Sequence, residues 1–586
     1  MDRFPPLAAL AFLLAGAAPA HALDTRLSGR FTYGAAFRTE IPDPQLLVSY
    51  NAAVLGLAGY ANGGQNTDDA NLNFRRGDAT SRALKGYVDF AASEGDFSAL
   101  LRVKAWHDFA LNEHPRQWGN APNGYRAGEP LSDRGAARRS RFSGVSVDDA
   151  YVEHRASVGR TKVTSRLGQQ SLAWGERAGM PGGLGAINAS DQPALRRAGA
   201  APQELRRPAP MLFARADFAG GVGAEGFYTR SFRPSALDMC GTFGSSSDYL
   251  AQGCEQVFIG PPPASDRARL ASGSYLKRAP SPSANDGAQF GAALTWKSPA
   301  LGAEIGLYAA RYIGRTPAPG IYSSTRSGPA FIAGDPDGRN IRYFIEYPDD
   351  IKLFALNFTR RRGASTWSGE LAYRPNQPLL LPAGDVLPPF LSPTAPALLR
   401  ADAMATAPAA PFSGFDRYKT VQLQLALQRD FGMVGGAALL GTAEVVGKHA
   451  LALPDPALRR YGRPDQFGAG PVLGICTVTS ASAATQCSFD GYVTPNAYAY
   501  RLRLDARMAQ LAPGLNATAS AGFLHEFKGW SYDFLLSEGR KSMNLGLRFE
   551  YRQRYLAEFA YLPNWGGNYS NQRDRDQMAL AVGVKF

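Results

Sequence analysis

The stretch "YAYRLRLDARM" sets Arg501, Arg503, Asp505 and Arg507 on one parity and Tyr498, Tyr500, Leu502, Leu504, Ala506 and Met508 on the other. Guanidinium groups repeated in this way bind carboxylates or steer anions. Residues two apart share a face only on a strand. Arg30, Arg102, Lys104 and Arg166 occupy the polar parity of other alternating segments. A second constellation is "LAWGERAGMPGGLGAINASDQPALRRAGA", which carries Trp174, Glu176, Arg177, Asn188, Asp191, Arg196 and Arg197 among glycines that permit tight turns. Both are equipment for binding and selectivity. Catalytic and metal-binding patterns are not found. His107, His114, His154, His449 and His525 lack ligand spacing, no Gly-x-Ser-x-Gly occurs, and strand geometry is expected to bring no Ser/His pair together. "GVGAEG" at 221–226 matches a dinucleotide fingerprint by letter, but "FYTRSF" after it continues as a strand, which favours a hairpin turn. No cofactor, metal or catalytic residue is expected.

The elements that must position these residues are strands. In the final "DQMALAVGVKF", Met578, Leu580, Val582, Val584 and Phe586 make one apolar face. "TRLSGRFTYGAAFR", "KTVQLQLALQ" and "SMNLGLRFEY" alternate in the same way, each near the ten-residue length of a tilted membrane strand. Placing an Arg on the lipid side costs roughly 2–4 kcal/mol at the midplane. The three arginines at 501–507 therefore face the lumen. Short links, such as 93–96, 157–160, 297–302 and 430–434, take turns with long Gly/Pro/Asn/Asp-rich segments. Short periplasmic turns and long external loops are the signature of an outer-membrane barrel.

The expectation is an all-β, transmembrane antiparallel barrel of about 18 strands, with 16 as the alternative, and Arg342 to Tyr347 as a candidate extra strand. A soluble β-sandwich would also alternate, but here the apolar face keeps one character in nearly every strand. Residues 1–22 read as a cleaved signal peptide, with an apolar core at 7–18 and Ala20-His21-Ala22 before the cut. Residues 23–586 form one barrel domain with loops at 39–79, 111–146, 174–209, 234–286, 314–350, 375–415 and 449–497. The terminal Phe586 is the expected assembly signal, read by the barrel assembly machinery of the outer membrane.

The chain has 586 residues and a net charge of +13, with a mean hydropathy of −0.23, and no apolar run beyond the N-terminus approaches the length of a spanning helix. An exported chain rarely meets nucleic acid, so the basic excess is assigned to a pore lining or to contact with lipopolysaccharide. Four cysteines in an exported protein predict two local disulfides, Cys240 with Cys254 and Cys476 with Cys487.

The blocks "LSGRFTYGAAFR", "DDANLNFRRGDATSRALKGYVDF", "RLGQQSLAWGE", "YFIEYPDDIKLFALNF", "GELAYRPNQPL" and "GGNYSNQRDRDQMALAVGVKF" together resemble the proteobacterial outer-membrane barrel family known as domain of unknown function thirteen-oh-two. The resemblance covers nearly the whole mature chain. It implies residence in the outer membrane among lipids and lipopolysaccharide. It also implies work beside a resistance-nodulation-division exporter and a periplasmic lipid carrier. "PNAYAYRL" departs from the family's Ser-Trp-Gly-Tyr type stretch, so Tyr498 and Tyr500 need not reproduce a contact made there. The resulting expectation is a passive channel or receptor for small hydrophobic or amphipathic molecules, including carboxylate-bearing ones. The alternatives are a general anion-leaning porin and, in another class, a barrel enzyme acting on lipids. Residues 174–199 are expected to constrict the pore or else to cap it.

Overall fold

Alternation becomes a closed wall in the computed structural model, which describes residues 23–175, 179–394, 396–476 and 483–586. The signal-peptide reading and the expectations for Glu176 and Arg177 fall outside the described residues. The first nine barrel strands are β1 (Asp24–Arg38), β2 (Ala79–Glu94), β3 (Phe97–Asp108), β4 (Ser143–Val158), β5 (Thr161–Gln170), β6 (Ala209–Asp217), β7 (Val222–Thr229), β8 (Gln289–Ser298) and β9 (Ala303–Tyr312). The second nine are β10 (Ile351–Arg362), β11 (Ser365–Leu380), β12 (Phe415–Val434), β13 (Ala437–Ala450), β14 (Asn496–Ala512), β15 (Leu515–Lys528), β16 (Lys541–Tyr551), β17 (Tyr555–Leu562) and β18 (Gln577–Lys585). Each pairs antiparallel with the next, and β18 returns to β1 from Arg30↔Lys585 to Arg38↔Gln577, closing 18 strands. A closed ring leaves no unpaired strand edge inside lipid.

The pleat separates two surfaces. Leu27, Leu502 and Val582 point outward and are 62%, 49% and 58% exposed, whereas the inward Arg30 and Lys104 are 6% and 2% exposed. The outward residues form the belt that lipid covers. Phe586 stacks on the outward Phe31, ring centroids 5.5 Å apart, and its carbonyl accepts from Gly29 N.

Two expectations change. The link expected at 430–434 lies instead at Gly435-Gly436, both at positive φ. This is the conformation a tight hairpin needs and glycine supplies; Asp430 sits at a register shift within β12. Arg342–Glu346 is indeed a strand, but it pairs with Ala318–Tyr322 in a separate three-stranded sheet among the external loops.

Those loops gather into a cap with its own core, in which Tyr249, Leu276, Ile341, Tyr343, Leu379 and Tyr461 are buried together. The structure joins Cys240 to Cys254 and Cys476 to Cys487, with Cα atoms 6.1 and 5.6 Å apart.

Candidate functional site: a lumen segment and a cap cavity

The described residues between β5 and β6, 171–175 and 179–208, run through the barrel and touch its wall on many sides. At the start, the Trp174 ring packs 5.3 Å from that of Phe227 and 5.2 Å from that of Tyr308. Its indole N–H donates to Glu225 at 2.6 Å. Leu172, Leu184 and Ile187 join the same apolar cluster with the wall residues Met211, Leu353 and Ala372. Next, Gly179 N donates to Glu444 at 3.1 Å and Leu184 N donates to Glu370 at 2.7 Å. Arg374 returns a bond to the Gly183 carbonyl at 2.6 Å. Asn188 donates to the Leu172 carbonyl and accepts from its N–H, which pins the segment's two arms together.

The second half is held by charge. Asp191 accepts from Lys104 at 2.7 Å and from Arg139 at 3.2 Å, and Arg139 also binds Asp148 at 2.6 Å. Burial pushes the Asp191 carboxyl up, and Lys104, Arg139 and Arg197 outweigh it, leaving it below the usual carboxylate value. Arg196 pairs with Asp238 at 3.0 Å. Arg197 is buried over the Trp106 ring, 4.7 Å from its centroid, where burial lowers its pKa. Lys85 of β2 closes the set on Glu204 at 3.1 Å. Pairs this dry are costly to break, because the survivor is left as an uncompensated buried charge.

Most wall cations expected to line the lumen are paired as well. Arg501 meets Glu444 at 2.5 Å, Arg503 meets Asp505 at 2.7 Å, and Arg30 meets Glu558 at 3.2 Å. Arg102 binds both Asp89 and Asp149, and Arg166 binds Glu153. Among the described residues, Arg507 alone of the seven cations has no ion pair. On the short-turn side of the segment lies a cavity of about 930 Å³, lined by Arg507, Arg361 and Lys297 together with the paired Arg501, Arg503 and Asp505. Arg361 and Lys297 also carry no ion pair among the described residues. This vestibule is polar and leans positive.

The cap holds the opposite kind of space. A cavity of about 360 Å³ is lined mainly by apolar side chains, including Tyr249, Phe258, Leu276, Ile321 and Leu387. Arg463 lies on its wall, 5% exposed. Its terminal nitrogens are spent on the carbonyls of Ser488, Phe467 and Thr485, and its guanidinium lies over the Tyr492 and Tyr569 rings. Its Nε is buried without a partner, and no carboxylate pairs with it among the described residues. Burial lowers the Arg463 pKa. Asp465, also on this wall, is pushed up to about 6 by burial. Sequence reasoning missed this site, because its residues come from loops with no periodicity.

One expectation about catalysis is corrected. The β3–β4 register sets His107 opposite Ser143, and Ser143 Oγ lies 2.7 Å from His107 Nδ1. Asn112 Nδ2 donates to the same hydroxyl at 3.0 Å, and the His107 ring edges onto Phe109 at 4.5 Å. No carboxylate backs the imidazole among the described residues, so the contact fastens the turn after β3 to β4. Residues 221–226 continue into β7, which is the strand reading rather than a phosphate loop.

A closed antiparallel ring with an apolar outer belt, a charged inner wall and an inward-folded loop defines a porin-like barrel of the outer membrane. The chain belongs to the family described as Protein of unknown function (DUF1302), whose profile matches residues 3–586. No curated protein matches it. Among solved structures it is similar to OccK9 (OpdG) of Pseudomonas aeruginosa, with 10% identity, TM-score 0.39, and 96% of this chain and 97% of that one covered. OccAB1 of Acinetobacter baumannii shows 10% identity and TM-score 0.40 over 96% of both chains. OpdK of Pseudomonas aeruginosa with vanillate shows 9% identity and TM-score 0.37 over 96% of this chain and 98% of that one.

Proposed function

We propose that the protein is a passive outer-membrane channel whose cap captures small amphipathic carboxylates before they meet the lumen. The observation that carries this reading is the cap cavity: about 360 Å³ of mostly apolar lining with one buried guanidinium that no carboxylate pairs with among the described residues. A hydrocarbon or ring system fills the apolar part, and the carboxylate meets Arg463. Such pockets, apolar with few placed polar groups, are the usual form of small-molecule sites. The lumen segment then sets the path's width, and the vestibule's unpaired cations receive the anionic head. Insertion by the outer-membrane assembly machinery, and work beside an exporter and a periplasmic lipid carrier, belong to the same proposal.

The test is displacement of a fluorescent fatty acid from detergent-solubilised protein. Carboxylates should compete better than alcohols of equal chain length, and Arg463→Gln should weaken the acid about tenfold, or about 1.4 kcal/mol, while sparing the alcohol. Equal binding of acid and alcohol by the wild type would refute the head-group assignment. The anion-leaning porin remains a second reading, favoured by Lys297, Arg361 and Arg507. Under that reading, small hydrophilic anions permeate without competing for the cap.

A further inference from the structure

Behind the cap cavity, carboxylates converge from distant parts of the chain. Asp68 and Asp69 lie in the loop after β1, and Asp248 and Asp266 in the loop between β7 and β8. Oxygens of Asp68, Asp69 and Asp248 all lie within 4.8 Å of one another. Asp68 is fully buried and Asp69 7% exposed, while Asp248 is partly buried. Among the described residues none of the four forms an ion pair, and the Asp69 carboxylate accepts no hydrogen bond.

Asp266 stands outside the converging three and supplies a separate observation. It is 3% exposed, and its Oδ1 is buried with no partner. Its Oδ2 accepts from Asn51 Nδ2 at 2.9 Å, and the same amide donates to Asp68 at 3.2 Å, so Asp266 is tied to the cluster's edge. Asp248 Oδ1 is likewise buried and unpartnered. The nearby guanidinium groups form no ion pair with the four: Arg269 donates to the carbonyls of Ala264 and Pro261, and Arg575 to those of Phe243 and Ser245, while Arg269 Nη1 and Arg575 Nε stay without a hydrogen-bond partner. Like charges held this close in a water-poor site are relieved either by protons or by a bound cation.

We propose that Asp68, Asp69 and Asp248 bind one divalent cation of the calcium type, with Asp266 as the outer acid held through Asn51. All ligands are hard carboxylate oxygens, which suits calcium or magnesium and not the thiolate- and imidazole-seeking metals. Calcium takes oxygens at roughly 2.3–2.6 Å, so oxygens no more than 4.8 Å apart can share one ion. Magnesium requires a tighter octahedron and keeps its waters. The ion joins two loops. Asp248 N already donates to the Asn66 carbonyl at 2.8 Å, and Asn66 and Tyr249 line the cap cavity. Cation binding stands independently of the capture role proposed for that cavity; only the stiffening of its wall bears on that role.

The experiment uses the full mature chain in detergent, freed of lipopolysaccharide and treated with chelator, then titrated with terbium. Sensitised luminescence should saturate at one ion per chain and be displaced by calcium at submillimolar concentration. Asp69→Asn and Asp248→Asn should each weaken terbium binding tenfold or more, while Asp490→Asn, at an exposed loop position, should not. Retained heat-modifiable mobility checks that the variants still fold. In the unaltered protein, calcium should slow proteolysis of the loops 39–78 and 230–288 relative to chelator. Unchanged affinity in both Asn variants, or calcium-insensitive proteolysis, would overturn the site. Failure of the fatty-acid assay would count against the capture reading alone.

Discussion

The cap cavity and the periplasmic vestibule are built by opposite rules. The vestibule is made from strands, and its lining is whatever the pleat leaves after lipid has claimed the apolar face: Arg501, Arg503, Asp505 and Arg507 opposite Leu502 and Leu504. The cap is free of that constraint. Its loops turn Tyr249, Leu276 and Tyr343 toward one another and enclose an apolar space that a membrane barrel wall would not offer. A barrel can thus present an apolar site to the exterior only by building it from connections. The lumen segment between the two regions shares both characters: Trp174 and Leu184 enter an apolar cluster, while Asp191 and Arg196 are held by ion pairs.

The comparison can be broken most severely by removing the divider. Replacing 182–199 with a short Gly/Ser link should raise single-channel conductance several-fold in planar bilayers. Unchanged conductance would show that the segment does not separate the two spaces. Asp191→Ala should come next, since it removes the close partner of Lys104 and leaves Asp148 alone to serve both Lys104 and Arg139 in a dry site. The expected loss is about 3–5 kcal/mol, read as a lower unfolding midpoint, with noisier channel traces as the segment loosens. Pairing Asp191→Leu with Lys104→Met should recover part of that loss.

Charge in the cap should give a smaller, pH-dependent effect. Burial raises Asp465 to about 6, so it is neutral below that pH and anionic above it. An alkyl sulfonate stays ionised throughout, and its affinity should fall a few-fold as pH rises through about 6. Asp465→Asn should flatten the profile. The smallest effect belongs to the vestibule. Converting Arg501, Arg503 and Arg507 to Gln leaves Glu444 and Asp505 unpaired and should move reversal potentials toward cations, most visibly at low salt. Arg507→Gln alone should move them less.

The wall was legible because its information is local. Parity alone put Arg501 and Arg503 inside and Leu502 and Leu504 outside, and it did so from a few residues of sequence. The turn after β12 was misplaced because Asp430 marks a bulge, whereas the Gly435-Gly436 pair that makes the hairpin was passed over. The partners of the expected lumen residues were mostly hidden. Only Arg503 with Asp505 lies within one strand; Arg30 with Glu558 and Lys104 with Asp191 span long stretches of chain. The same holds for Ser143 beside His107, which depends on the β3–β4 register. Arg463 gave no signal at all, because its lack of a carboxylate partner among the described residues depends on how distant loops fold together.

The lumen segment also meets the wall where the ring closes. A β-carbon at Gly34 of β1 would lie 2.9 Å from that of Ala198, and one at Gly199 would lie 2.7 Å from that of Ala581 in β18. This seam joins strands at opposite ends of the chain, so its loop-closure entropy is the largest of any strand pair and it is the natural last step. The cap core covers the external mouth. Laying the segment down before the first and last strands zip would spare it entry through an already covered cylinder. Any side chain at either glycine would wedge the segment away from the seam on which closure of the ring depends.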